Sequence, residues 1–238
     1  MLTLGNLLNS KYKITIVKKF LRFEKKINIF NKVLFIEGDK SLSIRWALLA
    51  SHAVGKSTAY NLLNSEDVLN TLSCLKKLGI KINLNKNKCE IFGKGLKSFN
   101  YKKNTNLNCG NSGTLARLIL GLLVDTPHKI KITGDESLSK RDFSRITKPL
   151  KKFGVKFFPP NGKSLPLAVL GSNKLKSINY IENKGSAQCK SAVMLASLKT
   201  RGITKIIAKK SRNHTELLFN FLNIPISLKN KKNLDIIK

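Results

Sequence analysis

The chain has 238 residues, a mass of 26.6 kDa and 42% hydrophobic residues, enough to bury a core in one large or two small domains and too apolar for wholesale disorder. Its 45 Lys and Arg outnumber 13 Asp and Glu, a formal charge of +32; 38 of the cations are Lys and 24 residues are Asn, a drift spread along the chain rather than a designed patch. Cys74, Cys89, Cys109 and Cys189 form no C-x-x-C pair and the three His lie far apart, which argues against a disulfide scaffold or a zinc site, and the longest apolar run, 118–124, is too short to span a bilayer.

Residues 1–36 are basic and acid-poor but lack the apolar stretch and small-residue cleavage site of a secretory signal, and Arg22 is their only Arg. We expect a cytoplasmic protein, with a plastid-type organelle as the lesser reading. The block GDKSLSIRWALLASHA (38–53) opens with small polar residues and turns apolar, the pattern of a helix start. Gly55-Lys56-Ser57-Thr58 imitates the end of a phosphate loop, but that motif needs Gly where Ala50 stands and should precede a helix. Ser65-Glu66-Asp67 starts a second helix with Val68, Leu72, Leu75 and Leu78 on one face, stopped by Gly79 and followed by a strand over 80–84.

The same order recurs twice. GNSGTLARLILGLLVD (110–125) predicts a helix, 129–133 a strand, Phe143, Ile146, Leu150 and Phe153 a helix ending at Gly154, and 155–158 a strand. KGSAQCKSAVMLASLK (184–199) then predicts a helix, 204–208 a strand, Leu217, Leu218, Phe221 and Leu222 a helix ending at Asn223, and 224–228 a strand. Ser41 to Ser112 is 71 residues, Ser112 to Ser186 is 74, Gly79 to Gly154 is 75 and Gly154 to Asn223 is 69, so the unit is about 70 residues of alternating α and β.

Three helices that open on Gly/Ser loops present free amides and positive dipole ends, hence three candidate anion sites. Lys40 and Arg45 stand beside the first, Arg117 beside the second and Lys190 beside the third. Of the 7 Arg in a Lys-dominated chain, Arg45, Arg117, Arg141, Arg145 and Arg212 fall in these blocks, as expected where a forked donor must grip a carboxylate or phosphate. Arg117 lies on an otherwise apolar helix and reads as an internal brace. Cys109 reads as a buried filler beside the second loop, and His214 as a helix-start residue.

The pieces GDKSLSIR (38–45), NSEDVLNTLSCLKKLGI (64–80), CGNSGTLARL (109–118), GDESLSKR (134–141), KPLKKFGV (148–155), GSAQCKSA (185–192) and SRNHTE (211–216) closely resemble the EPSP synthase family, in family order and spacing. The resemblance implies an α/β fold: one lobe of the enolpyruvyl transferase architecture, three βαβαββ repeats around a shared helical core. It implies transfer of the enolpyruvyl group of phosphoenolpyruvate to the 5-hydroxyl of shikimate 3-phosphate, with release of phosphate and no cofactor or metal. By the family pattern, Lys40, Ser41, Arg45, Ser186, Ala187, Gln188, Ser211 and Arg212 hold shikimate 3-phosphate. Lys40, Gly113, Arg141 and Gln188 face phosphoenolpyruvate, and Lys40 is the catalytic residue. The chain departs from the pattern at Glu37 (usually Pro), Ile44 (usually His), Asp142 (usually Pro) and Asn213 (usually Asp).

Family members run to about twice this length and fold as two lobes. We therefore expect 38–228 to be one complete lobe, with repeats at about 38–100, 105–170 and 175–228. Residues 1–37 are expected to be a basic extension with the leading strand of the other lobe, and 229–238 a return segment cut short. The family's acid–base carboxylates belong to the other lobe. One alternative is thus a half-enzyme, monomeric, that binds shikimate 3-phosphate and awaits a separately encoded second lobe. The sister transferase acting on UDP-N-acetylglucosamine has a different anchor. A nucleic-acid-binding module is the remaining alternative; the high charge favours it, while 7% aromatics, scarce Arg and dispersed Lys oppose any specific nucleic-acid partner. No membrane partner is expected.

Overall fold

The structure is a computed structural model and describes residues 14–17, 20–23, 31, 33–34, 36–86, 88–231 and 234–237. The chain divides into two units, Met1–Ile36 and Glu37–Lys238. In the first, β1 (Ile14–Val17) and β2 (Phe20–Phe23) pair as an antiparallel hairpin.

The second unit is built in three rounds. The first comprises α1 (Lys40–Ala50), β3 (Val54–Tyr60), α2 (Glu66–Lys77), β4 (Lys81–Asn85) and β5 (Lys88–Lys94), with sheet order β3-β5-β4. The second runs β6 (Asn106–Asn108), α3 (Gly113–Leu122), β7 (Ile130–Thr133), a short α4 (Glu136–Ser139), α5 (Ser144–Lys152), β8 (Lys156–Phe158) and β9 (Leu167–Leu170), with order β6-β7-β9-β8. The third repeats it as β10 (Asn179–Glu182), α6 (Ala187–Ser197), β11 (Lys205–Lys209), α7 (His214–Phe221), β12 (Leu228–Lys231) and β13 (Leu234–Ile237), with order β10-β11-β13-β12. In the last two rounds the leading strand runs parallel to the next, β6 to β7 and β10 to β11, across a helix, as a βαβ crossover requires. Within the second unit no described strand precedes α1, so the βαβαββ pattern is complete there only in rounds two and three. Gly55-Lys56-Ser57-Thr58 lies in β3.

The central helices are those whose sequence is apolar nearly all round. α1 buries Ile44, Ala47 and Leu48 completely, and α6 buries eight of its eleven residues. α3 meets α6 backbone to backbone: a Cβ on Gly121 would lie 2.2 Å from the Ala192 carbonyl oxygen, so only Gly admits this approach. The outer helices present the expected stripes in rounds one and two, with Val68, Leu72, Leu75 and Leu78, then Phe143, Ile146, Leu150 and Phe153, all buried.

Two expectations fail in round three. α7 buries Thr215, Glu216 and Phe219, while Leu217 is 56% and Phe221 80% exposed. The face is rotated because Glu216 goes inward to pair with the wholly buried Lys190. The strand expected at 224–228 lies instead at Leu228–Lys231. β12 and β13 form a hairpin that adds to β11, with Ile206 opposite Ile237 and Lys209 opposite Leu234, and Ile237 buried. The lone Asp in a Lys/Asn-rich tail explains the placement: Asp235 is drawn in by Lys190, 3.2 Å away.

Candidate functional site

Each central helix begins with a side-chain cap. Asp39 Oδ1 accepts the Leu42 N–H (2.8 Å), Ser112 Oγ the Leu115 N–H (3.3 Å) and Ser186 Oγ the Cys189 N–H (3.3 Å). In each helix the cap takes the third amide, and the amides ahead of it have no intrahelical acceptor. Contacts between equivalent levels show that the three starts lie side by side. Gln188 Nε2 on α6 donates to Thr114 Oγ1 on α3 (2.9 Å), and Arg45 Nη2 on α1 donates to Ser191 Oγ on α6 (3.1 Å). Lys40 Nζ lies 3.1 Å from Asp67 Oδ2 in the first turn of α2, and the Gly110 loop ahead of α3 abuts Asn70 of the same helix.

Between the second and third starts lies a cluster of guanidinium groups. Arg117 Nη1 donates to the Gly113 carbonyl (3.3 Å) and to Gln188 Oε1 (3.0 Å), while its guanidinium carbon sits 5.1 Å from the Phe143 ring centroid. Arg141 Nη2 donates to Asn111 Oδ1 (3.1 Å), and Asn111 Nδ2 donates to Asp135 Oδ2 (2.6 Å). Both guanidiniums crowd Gly113, where an added Cβ would stand 2.6 Å from Arg117 Nη1 and 2.8 Å from Arg141 Nη1. Burial above all, then repulsion from Arg141 and Arg145, lowers the Arg117 pKa, while Cys189 and Asp142 oppose the shift. Cations gathered against their own repulsion in a half-buried site point to an anion.

One carboxylate steadies the cluster. Buried Glu182 Oε1 accepts from Arg145 Nη2 (3.1 Å) and Lys184 N–H (3.3 Å), and Oε2 accepts from Ser186 N–H (2.8 Å). It thereby shapes the loop entering α6 and aims Arg145.

The expected site residues fall into three groups. Gly113, Arg141, Ser186, Ala187 and Gln188 gather at the second and third starts, and Lys40 and Ser41 at the first. Arg45 is only 4% exposed: Nε donates to Thr215 Oγ1 (2.8 Å), Nη1 to the Ser41 carbonyl (3.0 Å) and Nη2 to Ser191, so it braces α1 against α6 and α7. Burial lowers its pKa, Glu216 and Asp39 oppose the shift, and exposed Arg212 adds to it. Ser211 Oγ is buried with no hydrogen-bond partner among the described residues. Lys190 does not serve an anion: it is wholly buried between Glu216 and Asp235. Arg117, read from sequence as an internal brace, bridges two helix starts within the cluster. Glu182 escaped the sequence reading altogether. Scarcity would have flagged it, since acids are as rare here, 13 in all, as Arg is among the cations.

Comparison with known proteins bears on this arrangement. A family model described as EPSP synthase (3-phosphoshikimate 1-carboxyvinyltransferase) matches residues 25–237. The 3-phosphoshikimate 1-carboxyvinyltransferase of Bacillus subtilis (strain 168) is 38% identical over 204 residues, 85% of this chain and 47% of that protein. Its counterpart in Streptococcus pyogenes serotype M2 is 42% identical over 183 residues, 76% of this chain and 42% of that protein. The solved EPSP synthase from Acinetobacter baumannii matches with a TM-score of 0.76 at 32% identity, over 86% of this chain and 46% of its own. The chain thus spans under half the length of these relatives.

Proposed function

Because the chain belongs to the EPSP synthase family, we propose that its three helix starts form the face on which an enolpyruvyl transferase holds shikimate 3-phosphate and phosphoenolpyruvate. The observation that carries this reading is the arginine cluster around Gly113, tied to the third helix start through Gln188. Both ligands are small anions, and the cluster offers forked donors where a planar carboxylate or phosphate fits.

In the proposed arrangement shikimate 3-phosphate lies across the first and third starts. Lys40, Ser41 and the amides and side chains of Ser186, Ala187 and Gln188 hold it, with Ser211 Oγ and Arg212 closing the phosphate end. Three of the five N–H donors of Arg45 are engaged internally, which leaves two for the ligand. Phosphoenolpyruvate lies at the second start, against Gly113 and Arg141, within reach of Gln188. The 5-hydroxyl adds to the enolpyruvyl carbon, and the tetrahedral intermediate expels phosphate. Lys40, whose pairing with Asp67 is half-exposed and weak, swings its ammonium toward the developing negative charge.

By the family resemblance the acid–base carboxylates lie in a second lobe, and closure of two lobes excludes water. We therefore propose that these 238 residues bind, and that transfer needs that second lobe. Calorimetry of the full chain with shikimate 3-phosphate, then with phosphoenolpyruvate added, tests this. Saturable binding of the first with little gain from the second is expected. Absence of binding at millimolar concentration, together with unshifted amides at 40–45 and 186–188, would overturn it.

A further inference from the structure

At the far end of the central helices lies a cleft of ≈ 780 Å³ whose lining includes Lys97, Phe99, Tyr101, Asp125, Lys174 and Arg201. Asp125 follows the last turn of α3 and Lys199, also in the lining, that of α6. Helices of ten or eleven residues separate this cleft from the helix starts by about 15 Å. The volume suits a small molecule, and a cleft of this size with converging polar groups is a place to seek one.

The walls are pinned. The Phe99 ring meets the His52 ring edge-on at 4.7 Å. Tyr101 Oη donates to the His128 carbonyl (3.1 Å) and accepts the His128 N–H (3.2 Å). The connection between rounds two and three is fastened to the end of α3 by Gly171 N–H to the Thr126 carbonyl (3.0 Å) and Ser172 N–H to the Val124 carbonyl (2.8 Å). At the floor, Lys199 Nζ lies 2.6 Å from Asp125 Oδ1 and 5.3 Å from the Phe99 ring centroid, with its side chain 3% exposed. The cleft is therefore built before any ligand arrives.

Its charge is unbalanced. Lys199 engages the only lining carboxylate and also answers the negative end of α6. That leaves Lys97, Lys174 and Arg201 on the rim, on connections rather than helix ends, with no ion-pair partner among the described residues. Lysines are abundant in this chain, but Arg is not. Five of the seven Arg stand in the helix-start blocks and Arg22 in β2; the seventh is Arg201. We propose that this cleft is a second small-molecule site, taking a planar ring between Phe99 and Tyr101 and its phosphate on Lys97, Lys174 and Arg201: a ring-bearing phosphate of mononucleotide size. The proposal does not depend on the transferase reading.

Titration of the ¹⁵N-labelled full chain with AMP, adenosine and inorganic phosphate tests it, in the presence of saturating shikimate 3-phosphate to occupy the helix starts. AMP is expected to shift the amides of 97–101, 172–175 and 199–201. Adenosine and inorganic phosphate should each bind at least about tenfold more weakly, and the exposed pair Lys174→Ala and Arg201→Ala should weaken AMP by about tenfold or more. Shifts confined to 110–114, 141 and 186–188, or none at about 10 mM, would remove the site. Phosphate alone binding as tightly as AMP would remove the ring, and adenosine binding as tightly would remove the anion.

Discussion

At Gly113 the space that a Cβ would fill is taken by the ends of Arg117 and Arg141. Gly113→Ala is expected to push those guanidiniums aside while leaving the helix intact, because they are the flexible ends of long side chains. In a complete two-lobed enzyme carrying this lobe, affinity for phosphoenolpyruvate, and for the related inhibitor glyphosate, should fall in calorimetry, while the melting temperature of the chain holds; unchanged affinity for both would refute the placement. Glu182→Gln keeps the shape but weakens the grip on Ser186 N–H and Arg145. It should loosen shikimate 3-phosphate by about tenfold, and by much less in an Arg145→Ala background, since the two act as one unit. His52 offers a pH test. Burial, with help from Lys199, depresses its pKa from 6.5 to about 3, against the opposing pull of the Leu48 carbonyl. Above pH 6.5 the ring is neutral folded and unfolded alike; below it, the unfolded chain takes up a proton that the folded chain refuses until about pH 3. Between those limits this group should withdraw up to about 1.4 kcal/mol of stability per pH unit, a slope that His52→Phe abolishes in acid denaturation profiles.

The elements were the most legible level, because the signals that set them are local. Gly79 (φ 83°), Gly154 (φ 106°) and Asn223 (φ 54°) all end their helices in the left-handed conformation expected of a C′ residue. At Gly79 the closing bonds run from its own N–H to Lys76 O (2.9 Å) and from Ile80 N–H to Leu75 O (3.1 Å), and Asn223 and Ile224 repeat them onto Asn220 and Phe219. Gly79→Ala should cost more than about 1 kcal/mol from backbone conformation alone. A further penalty comes from the Asn100 carbonyl oxygen, 2.3 Å from the new Cβ. Asn223→Gly should leave urea stability nearly unchanged, because Gly adopts the same conformation freely. At α7 apolar periodicity misses the buried face, and the reason is electrostatic: a stripe of apolar residues alone leaves out Glu216, whose burial depends on a lysine 26 residues earlier in the chain. Arg45 shows the same limit. Its motif marks it as a ligand contact, but its partners Thr215 and Ser191 are visible only once the helices are packed.

At the scale of the molecule, the repeat carried the architecture, and the tail is where it went unheeded. Two earlier rounds close with strands that pair back onto the sheet, so a third that stops at 228 breaks the rule; β12 and β13 restore it. The tail also completes a buried charge arrangement. Lys190, wholly buried, stands between Glu216 and Asp235, and Asp235 arrives on β13. A chain ending at residue 227 would therefore lose the hairpin, uncover β11, expose the packing of Ile206 against Ile237, and leave Lys190 with a single carboxylate. Lys190 keeps Glu216, so losing Asp235 costs less than the about 3–5 kcal/mol of a buried charge left alone, and the lost hairpin adds to it. For a domain of this size each kcal/mol moves the midpoint by about 2–4 °C, so the shortened chain should melt several degrees lower, or lose its cooperative transition. Asp235→Asn in the full chain isolates the electrostatic share and should fall in between. If the chain ending at 227 melts where the full chain does, the hairpin is an appendage, and the third round closes without it.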